Sequence, residues 1–334
     1  MTVSVGPWTG APAIWDGFVR RQPGWTHCHL FGWKPVIERV FGHECLYLAA
    51  SGNAGELVGV LPLVRVRSLL FGHYLVSMPF LNYGGPLGDQ AAVRALAAHA
   101  ATLAAAGGVR LLELRSRVQL AVDLPVSHRK VTVVRELPPE PGTLWQSLGS
   151  KLRSQVKRPQ KEGVTVRIGP EEVGPFYTVF AEHMRDLGTP AMPRRFFHAI
   201  AVAFGEEAWF GCAYHRGRPV ACGAGFRWGG EFEMTWASAL AGYNRIAPNM
   251  LVYWTFMERA VAERLTLFNF GRCTPGSGTH RFKLQWGSRD ETLWWYQQAR
   301  DGTVATPSPD EGAYGWGPRL WRHLPLPLAT ALGP

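Results

Sequence analysis

Five cations, Lys151, Arg153, Lys157, Arg158 and Lys161, fall within eleven residues that contain no acid. A cluster of this kind either clamps phosphates, through bidentate guanidinium contacts and ammonium point charges, or forms a solvated face balanced by acids elsewhere. Proton transfer needs a different group, a histidine or a desolvated carboxylate that titrates near working pH. Glu231 and Glu233 alternate along an apolar segment, so they point to opposite faces of a strand and only one can face a cleft. Glu233 lies among Phe232, Met234 and Trp236, surroundings that suit a base. His183 and Asp186 stand three apart and share a helix face. Ser277, in Pro275-Gly276-Ser277-Gly278-Thr279-His280, has the setting of a nucleophile, but no Gly-x-Ser-x-Gly elbow accompanies it, and a turn explains the same residues. Lys283 follows that turn, one of six lysines beside 29 arginines, with His280 and Arg272 flanking it.

The remainder of the composition limits the field. The chain has 334 residues, is 46% hydrophobic and 18% charged, and carries a net charge of +10, which excludes a disordered tail and favours an anionic partner. Half of that excess sits on the one cationic stretch, which fits a phosphate-bearing substrate better than bulk nucleic-acid binding. Five scattered cysteines without a C-x-x-C pair argue against a disulfide framework or structural zinc, and no His-Glu-x-x-His spacing suggests another metal. Residues 1–10 lack the plan of a signal peptide, and the alanine-rich run at 91–108 is broken by Arg94 and His99, so a cytoplasmic location is expected.

Apolar alternation predicts a hairpin of 46–50 and 57–65 turning at Gly52-Asn53, a strand at 73–78, a glycine-rich loop at 82–89, a helix from an Asp89 cap to about Ala106, and a strand at 109–115. The order returns in the second half. A hairpin of 208–215 and 219–227 precedes a strand at 231–236, a loop at 242–247, a helix from Pro248 to about Arg264, and a strand at 265–270. Trp236, Tyr243 and Asn249 border that second loop, where Asn249 is placed to cap the helix. Helices are expected over 171–187 and 193–204. Between the halves, Leu148, Leu152 and Val156 form one stripe of a helix with the cations opposite, ended near Arg158 by Pro159. The tail from Tyr314 reads as irregular.

Hairpin, strand, loop, helix, strand, given twice, resembles two tandem acyltransferase folds of the GNAT type, and such tandems resemble the FemAB family. Asn82-Tyr83-Gly84-Gly85-Pro86 is similar to that family's first-domain loop, the cationic run to its interdomain helix, and His280-Arg281-Phe282-Lys283-x-x-Trp286-Gly287 to its C-terminal Phe-Lys segment. His183-Met184-Arg185-Asp186-Leu187-Gly188-Thr189-Pro190 and Leu320-Trp321-Arg322-x-Leu324-Pro325 resemble the FemAB-related subgroup associated with exosortase (PEP-CTERM) exopolysaccharide systems. Two features depart from the pattern. No heptad-bearing arm of the tRNA-dependent members occurs, and Arg245-Ile246-Ala247-Pro248-Asn249 lacks the glycines of a pyrophosphate loop.

The resemblance implies an α/β fold of two tandem GNAT-like domains with mixed, mostly antiparallel sheets flanked by helices. The expected boundaries are a first domain at 1–140, a basic interdomain helix at 141–163, a second domain at 164–312 and a Trp/Pro-rich tail at 313–334, with a cleft between the domains. It implies N-acyl or aminoacyl transfer to an amino group of a peptide or amino sugar in envelope or exopolysaccharide biosynthesis. Lys283, His183 and Glu233 are the catalytic candidates. Lys151, Arg153, Lys157, Arg158, Lys161, Tyr83, Gly84, Trp236, Tyr243, Asn249, Arg272 and His280 are the candidates for substrate or phosphate contact. No permanently bound cofactor or metal is expected; the donor is aminoacyl-tRNA or acyl-CoA. Trp316, Arg319, Trp321 and Arg322 in the tail suit contact with the inner face of a membrane. Two alternatives stand beside this reading: an acyl-CoA-dependent N-acyltransferase acting on a small amine, and a non-catalytic RNA- or membrane-binding accessory protein.

Overall fold

Strands and helices alternate as the apolar pattern demands, and the computed structural model describes them over residues 3–68, 72–300 and 321–332. The strands, in chain order, are β1 (Ser4–Pro7), β2 (Glu44–Ser51), β3 (Leu57–Ser68), β4 (Gly72–Val76), β5 (Leu87–Gly88), β6 (Leu111–Ser116), β7 (Val126–Ser127), β8 (Val131–Glu136), β9 (Thr165–Ile168), β10 (Ala208–His215), β11 (Arg218–Trp228), β12 (Glu231–Ala239), β13 (Leu267–Cys273), β14 (Arg289–Thr292) and β15 (Trp294–Ala299). The helices are α1 (Pro12–Val19), α2 (Trp33–Phe41), α3 (Gln90–Ala106), α4 (Pro141–Ser147), α5 (Ser150–Lys161), α6 (Val173–Leu187), α7 (Arg194–Phe204), α8 (Pro248–Ala262), α9 (Gly278–Leu284) and α10 (Leu326–Leu332). The fold is mixed α/β, with two mixed sheets flanked by helices.

The chain forms two units. The first gathers the described residues of 3–132, 272–275 and 290–300, the second those of 133–271, 276–289 and 321–332. The first sheet runs β1-β2-β3-β4-β6-β15-β7, with β5 beside β3, and the second runs β14-β8-β13-β12-β11-β10-β9. Within each, a meander of antiparallel strands leads through a helix to a parallel neighbour: β4 pairs with β6, and β12 with β13. In the first unit, Leu48, Leu61, Leu63, Leu75, Leu112 and Leu114 meet the alanine-rich face of α3. Asp89 caps that helix as expected, its carboxylate accepting from Ala92 N–H at 2.8 Å. In the second unit, Phe176, Phe180, Phe197 and Phe210 pack edge to face on one side of the sheet, while Phe232 contacts Phe256 and Phe268 on the other.

The structure differs from expectation at several points. Helix α5 and its cations fall within the second unit. β15 joins the first sheet, antiparallel to β6, although its residues fall within the range expected for the second domain. The turn at 51–55 places its left-handed residue at Gly55, with φ of 80°, rather than at Gly52-Asn53; Gly52 N–H is bonded to Glu56 O instead. Pro159 sits inside α5, which continues to Lys161. In the last turn a proline removes only one helical donor, its ring is buried, and its carbonyl accepts from Val164 N–H to close the helix. The tail is not irregular throughout, because α10 forms beyond Pro325 and Ala329 is buried. Trp316 and Arg319 lie outside the described residues. Among the described residues, no helix is long and apolar enough to cross a membrane, and no group of three or more potential ligands could hold a metal ion.

Candidate functional site

The second unit contains a fork between two parallel strands. The β12–β13 ladder holds three residue pairs, Glu231 with Leu267, Phe232 with Phe268 and Glu233 with Asn269, and then stops, although β12 runs on to Ala239 and β13 to Cys273. A bulge marks the same place on β12. On its other edge Met234 pairs with Gly225 and Trp236 with Ala224, so Thr235 is an extra residue with no partner across the ladder. A bulge bends a strand and increases its twist, which turns β12 away from β13. Gly225 permits the bend, since a Cβ there would lie 1.8 Å from the Glu233 carbonyl oxygen.

Side chains hold the β13 edge of this fork. Asn269 is fully buried; its amide donates to Glu231 Oε1 at 2.7 Å and its carbonyl accepts from Gly271 N–H at 2.8 Å. Lys283 Nζ donates to the Gly271 carbonyl at 2.7 Å. A hydrogen-bonded chain therefore runs from Glu231 through Asn269 and Gly271 to Lys283. Gly271 has φ of 73°, so the edge turns at a left-handed residue. Lys283 is 4% exposed and held on α9, whose Ser277 N-cap accepts from His280 N–H at 3.1 Å. Ser277 is thus a helix cap. His280 is buried with it, Nδ1 accepting from Gly276 N–H at 3.0 Å.

Two of the three catalytic candidates meet at the fork: Glu233, fully buried, ends the ladder on β12, and Lys283 holds the edge of β13. His183, on α6, is half-buried and hydrogen-bonds the Ala239 backbone at the far end of β12. Burial lowers its pKa, while the Ala239 contact and nearby Asp186 act the other way. Asp186 itself accepts from Arg185 at 2.7 Å. Trp236 is a packing residue, set against Phe196, Phe197 and Phe226 at 5.3–6.0 Å between ring centres. Tyr243 packs on His215 and under Arg218. Asn249 caps nothing: the cap of α8 is Ala247, at φ of 53° with no side-chain bond, and Pro248 follows it.

Helix α5 packs against α8. Leu152 and Val156 are buried; Lys151, Lys157, Arg158 and Lys161 are exposed and Arg153 half-buried. Among the described residues, none of the five has an acid within salt-bridge reach. Lys157 lies over the Trp145 ring at 5.5 Å, and Arg158 donates to the Arg245 carbonyl at 3.3 Å, which sets its guanidinium beside the loop that starts α8.

The first unit has a matching fork, and its own chain fills it. The β4–β6 ladder also holds three pairs, ending with Val76 and Glu113. Two residues further on, Arg115 N–H donates to Ser77 Oγ at 2.7 Å and Arg115 O accepts from Gly85 N–H at 2.7 Å. Gly85 O in turn accepts from His29 Nε2 at 3.0 Å. His29 is neutral there, with Nδ1 accepting from Thr26 N–H, and burial pushes its pKa down to about 4. Tyr83 is 1% exposed and donates to Thr132 Oγ1 at 3.0 Å. The glycines serve this packing: a Cβ on Gly84, whose φ is 127°, would lie 2.6 Å from Met78 Cγ, and one on Gly85 would lie 2.9 Å from Arg115 O. Tyr83 and Gly84 therefore pack against the chain itself. Arg272 belongs to this unit, its guanidinium 5.0 Å from the Trp295 ring centre, with Arg115 at 4.6 Å.

Thr235, Asn269 and Gly225 were not singled out from the sequence. Gly223 and Gly225, close together in an apolar strand, are the signal that could have marked the bulge.

A model of the GNAT acetyltransferase domain matches residues 147–284, a stretch that includes the whole of the second-unit fork, α5, α8 and Lys283. No curated protein matches the chain. Among solved structures, FemX superposes with a TM-score of 0.66 at 15% identity, over 89% of this chain and 97% of its own. The C-terminal domain (DUF2156) of a putative lysylphosphatidylglycerol synthetase from Agrobacterium fabrum gives 0.57 at 12%, over 86% and 92%. A tandem GNAT protein from the clavulanic acid biosynthesis pathway gives 0.55 at 11%, over 92% and 100%. These similarities establish the fold, and the second unit carries a GNAT-type acyltransferase domain.

Proposed function

We propose that the protein is an N-acyl or aminoacyl transferase that takes its donor in the β12–β13 fork and acylates an amino group of a peptide or amino sugar in envelope or exopolysaccharide biosynthesis. The observation that carries this reading is the parallel ladder that ends at Glu233 and Asn269 with a bulge beside it. Strand edges released from each other keep N–H and C=O groups that must find partners, and an extended, amide-bearing donor arm supplies them as an added strand does. Backbone N–H groups at the fork also suit the oxyanion that forms when an amine adds to the donor carbonyl. In the reaction the amine gives up a proton to a base, its nitrogen bonds to the carbonyl carbon, and the tetrahedral intermediate collapses as the bond to sulfur or ribose oxygen breaks. The leaving atom takes a proton. Glu233 and His183 are the bases within the unit, and Lys283 fixes the strand against which the carbonyl lies.

The phosphate end of the donor fits this chain through side chains more than through backbone. Pro248 has no N–H and Met250 N–H is bonded to Ala247 O, so the start of α8 offers fewer free donors than a glycine loop. Arg158 and the exposed Arg245 supply the charge instead, and the uncompensated cations of α5 extend it in the way a tRNA-borne donor would use. The sequence resemblance to the FemAB family supports that donor class, and the resemblance to GNAT acyltransferases supports acyl-CoA. For the tail, the exposed Arg322, which donates to the Leu187 carbonyl, and the exposed Leu328 of α10 support contact with an anionic membrane face.

Titration of the protein with acetyl-CoA, longer acyl-CoAs and aminoacylated tRNA decides the donor, because a ligand of the native state raises the thermal midpoint. One donor class is expected to stabilise the protein and to support amine acylation. No stabilisation and no turnover with any of them would remove the transferase reading, and salt-dependent retention on RNA or anionic vesicles would then favour an accessory binding protein.

A further inference from the structure

We infer that the Thr235 hydroxyl is a hydrogen-bonding contact for the acyl donor, set at the bulge to meet the donor's carbonyl or an amide of its extended arm. This rests on the reading of the fork as the donor site.

The argument starts from a hydroxyl that the fold leaves unsatisfied. Thr235 Oγ1 is buried and has no hydrogen-bond partner, and it is the one Ser or Thr hydroxyl in that condition among the described residues. Elsewhere such groups are served: Ser77 Oγ accepts from Arg115 N–H, Ser116 Oγ donates to Val118 O at 2.7 Å, and Thr132 Oγ1 accepts from Tyr83. Even the exposed Thr102 and Thr178 bond carbonyls of their own helices. A hydroxyl buried without a partner destabilises a fold, and valine, which has the same shape without the polar atom, removes that cost.

Position makes a ligand the fitting partner. Thr235 is the inserted residue of the bulge, with Glu233 at the end of the parallel ladder before it and Trp236, wedged among three phenylalanines, after it. Both flanks are fixed, so the β-branched side chain has little freedom to turn away. A preorganised donor and acceptor at the place where two strands release each other matches a group that arrives in extended form between them. The chemical class is an acyl thioester or ester whose arm carries amides.

The test compares wild type with Thr235→Val and Thr235→Ser in calorimetric titrations with acetyl-CoA and with aminoacylated tRNA, alongside thermal midpoints. Thr235→Val is expected to bind the donor at least about tenfold more weakly with a thermal midpoint equal to or above wild type, and Thr235→Ser to keep affinity within about twofold. Unchanged affinity in Thr235→Val, where wild type binds, would overturn the inference and leave the donor site standing. A lowered midpoint accompanying the weaker binding would also overturn it, since the hydroxyl would then be structural. Wild type that binds neither donor would overturn the reading of the fork itself, and this inference with it.

Discussion

Two forks in one chain begin alike and end differently. In each unit a parallel ladder holds three pairs and stops at a buried polar residue, Glu113 in the first and Asn269 in the second. Two residues on, the edge must be satisfied again. In the first unit Arg115 is bonded by Ser77 Oγ and Gly85 N–H, so the polypeptide lies in its own fork. In the second, Gly271 is bonded by the side chains of Asn269 and Lys283, and the facing strand bulges away at Thr235. A main-chain plug fills space as well as hydrogen-bonding capacity; two side chains satisfy one residue and leave the facing strand to another partner. The same architecture is therefore plugged by its own chain in one place and, on the proposed reading, receives the donor in the other, and only the second lies within the GNAT-domain match.

The plug can be broken first. Gly85→Ala places a methyl group 2.9 Å from the Arg115 carbonyl oxygen, and neither backbone can give way cheaply. It should cost about 2–4 kcal/mol in chemical denaturation, whereas Gly149→Ala, with nothing within 4 Å, should be close to neutral. If Gly85→Ala is also neutral, the first fork is not tightly filled.

Acid acts on the same plug. His29 has a folded pKa of about 4 against 6.5 when unfolded, so below pH 6.5 the unfolded chain takes up a proton that the folded chain refuses. Stability should therefore fall as pH drops from 6.5 to 4 and level off below, by roughly 3–4 kcal/mol at most at ~1.4 kcal/mol per pH unit. Urea midpoints at pH 7 and pH 4.5 check this, with His29→Gln expected to flatten the difference. An equal pH dependence in both proteins would show that His29 is not the group responsible.

At the open fork, Lys283→Met keeps the length of the side chain and removes the bond to Gly271. Acyl transfer should fall about a hundredfold, ~2.7 kcal/mol of barrier. Loss of the bond should also lower the thermal midpoint, because the Gly271 carbonyl loses a buried donor. Full transfer activity in this variant would take Lys283 out of the site. The smallest effect belongs to Ser277→Ala, which removes a helix cap at a cost of about 1 kcal/mol and should leave turnover nearly intact. Abolished turnover with an intact fold would restore the nucleophile reading.

What could be read from the sequence follows from the range of the interactions involved. The Asp89 cap, the 208–228 hairpin with its left-handed Arg216 and Gly217, and the buried Leu152 and Val156 of α5 are local and were legible, whereas Leu148, read as part of the same helical stripe, is the extended residue that ends α4. The joining of Trp294–Ala299 to Leu111–Ser116 spans nearly two hundred residues, and nothing in either segment's periodicity names its partner. The Thr235 bulge was hidden because an inserted residue shows only when the facing register is known. Lys283 and Glu233 were chosen from the sequence and do lie at the fork, but Asn269, which links the buried carboxylate to the strand edge, carries no pattern of its own. Tyr83 and Gly84 were read as ligand contacts because a glycine pair permits close approach, and sequence cannot say whether the approaching backbone belongs to a ligand or to the chain.

The claim that one fork receives the donor and the other is filled by the protein is tested most directly by amide hydrogen exchange on the full chain, with and without saturating acetyl-CoA or aminoacylated tRNA. Binding should slow exchange at 233–239 and at 269–271, with 77–85 and 113–116 already slow and unchanged. Donor-dependent protection at 77–85, or no donor-dependent protection at 233–239, would contradict it.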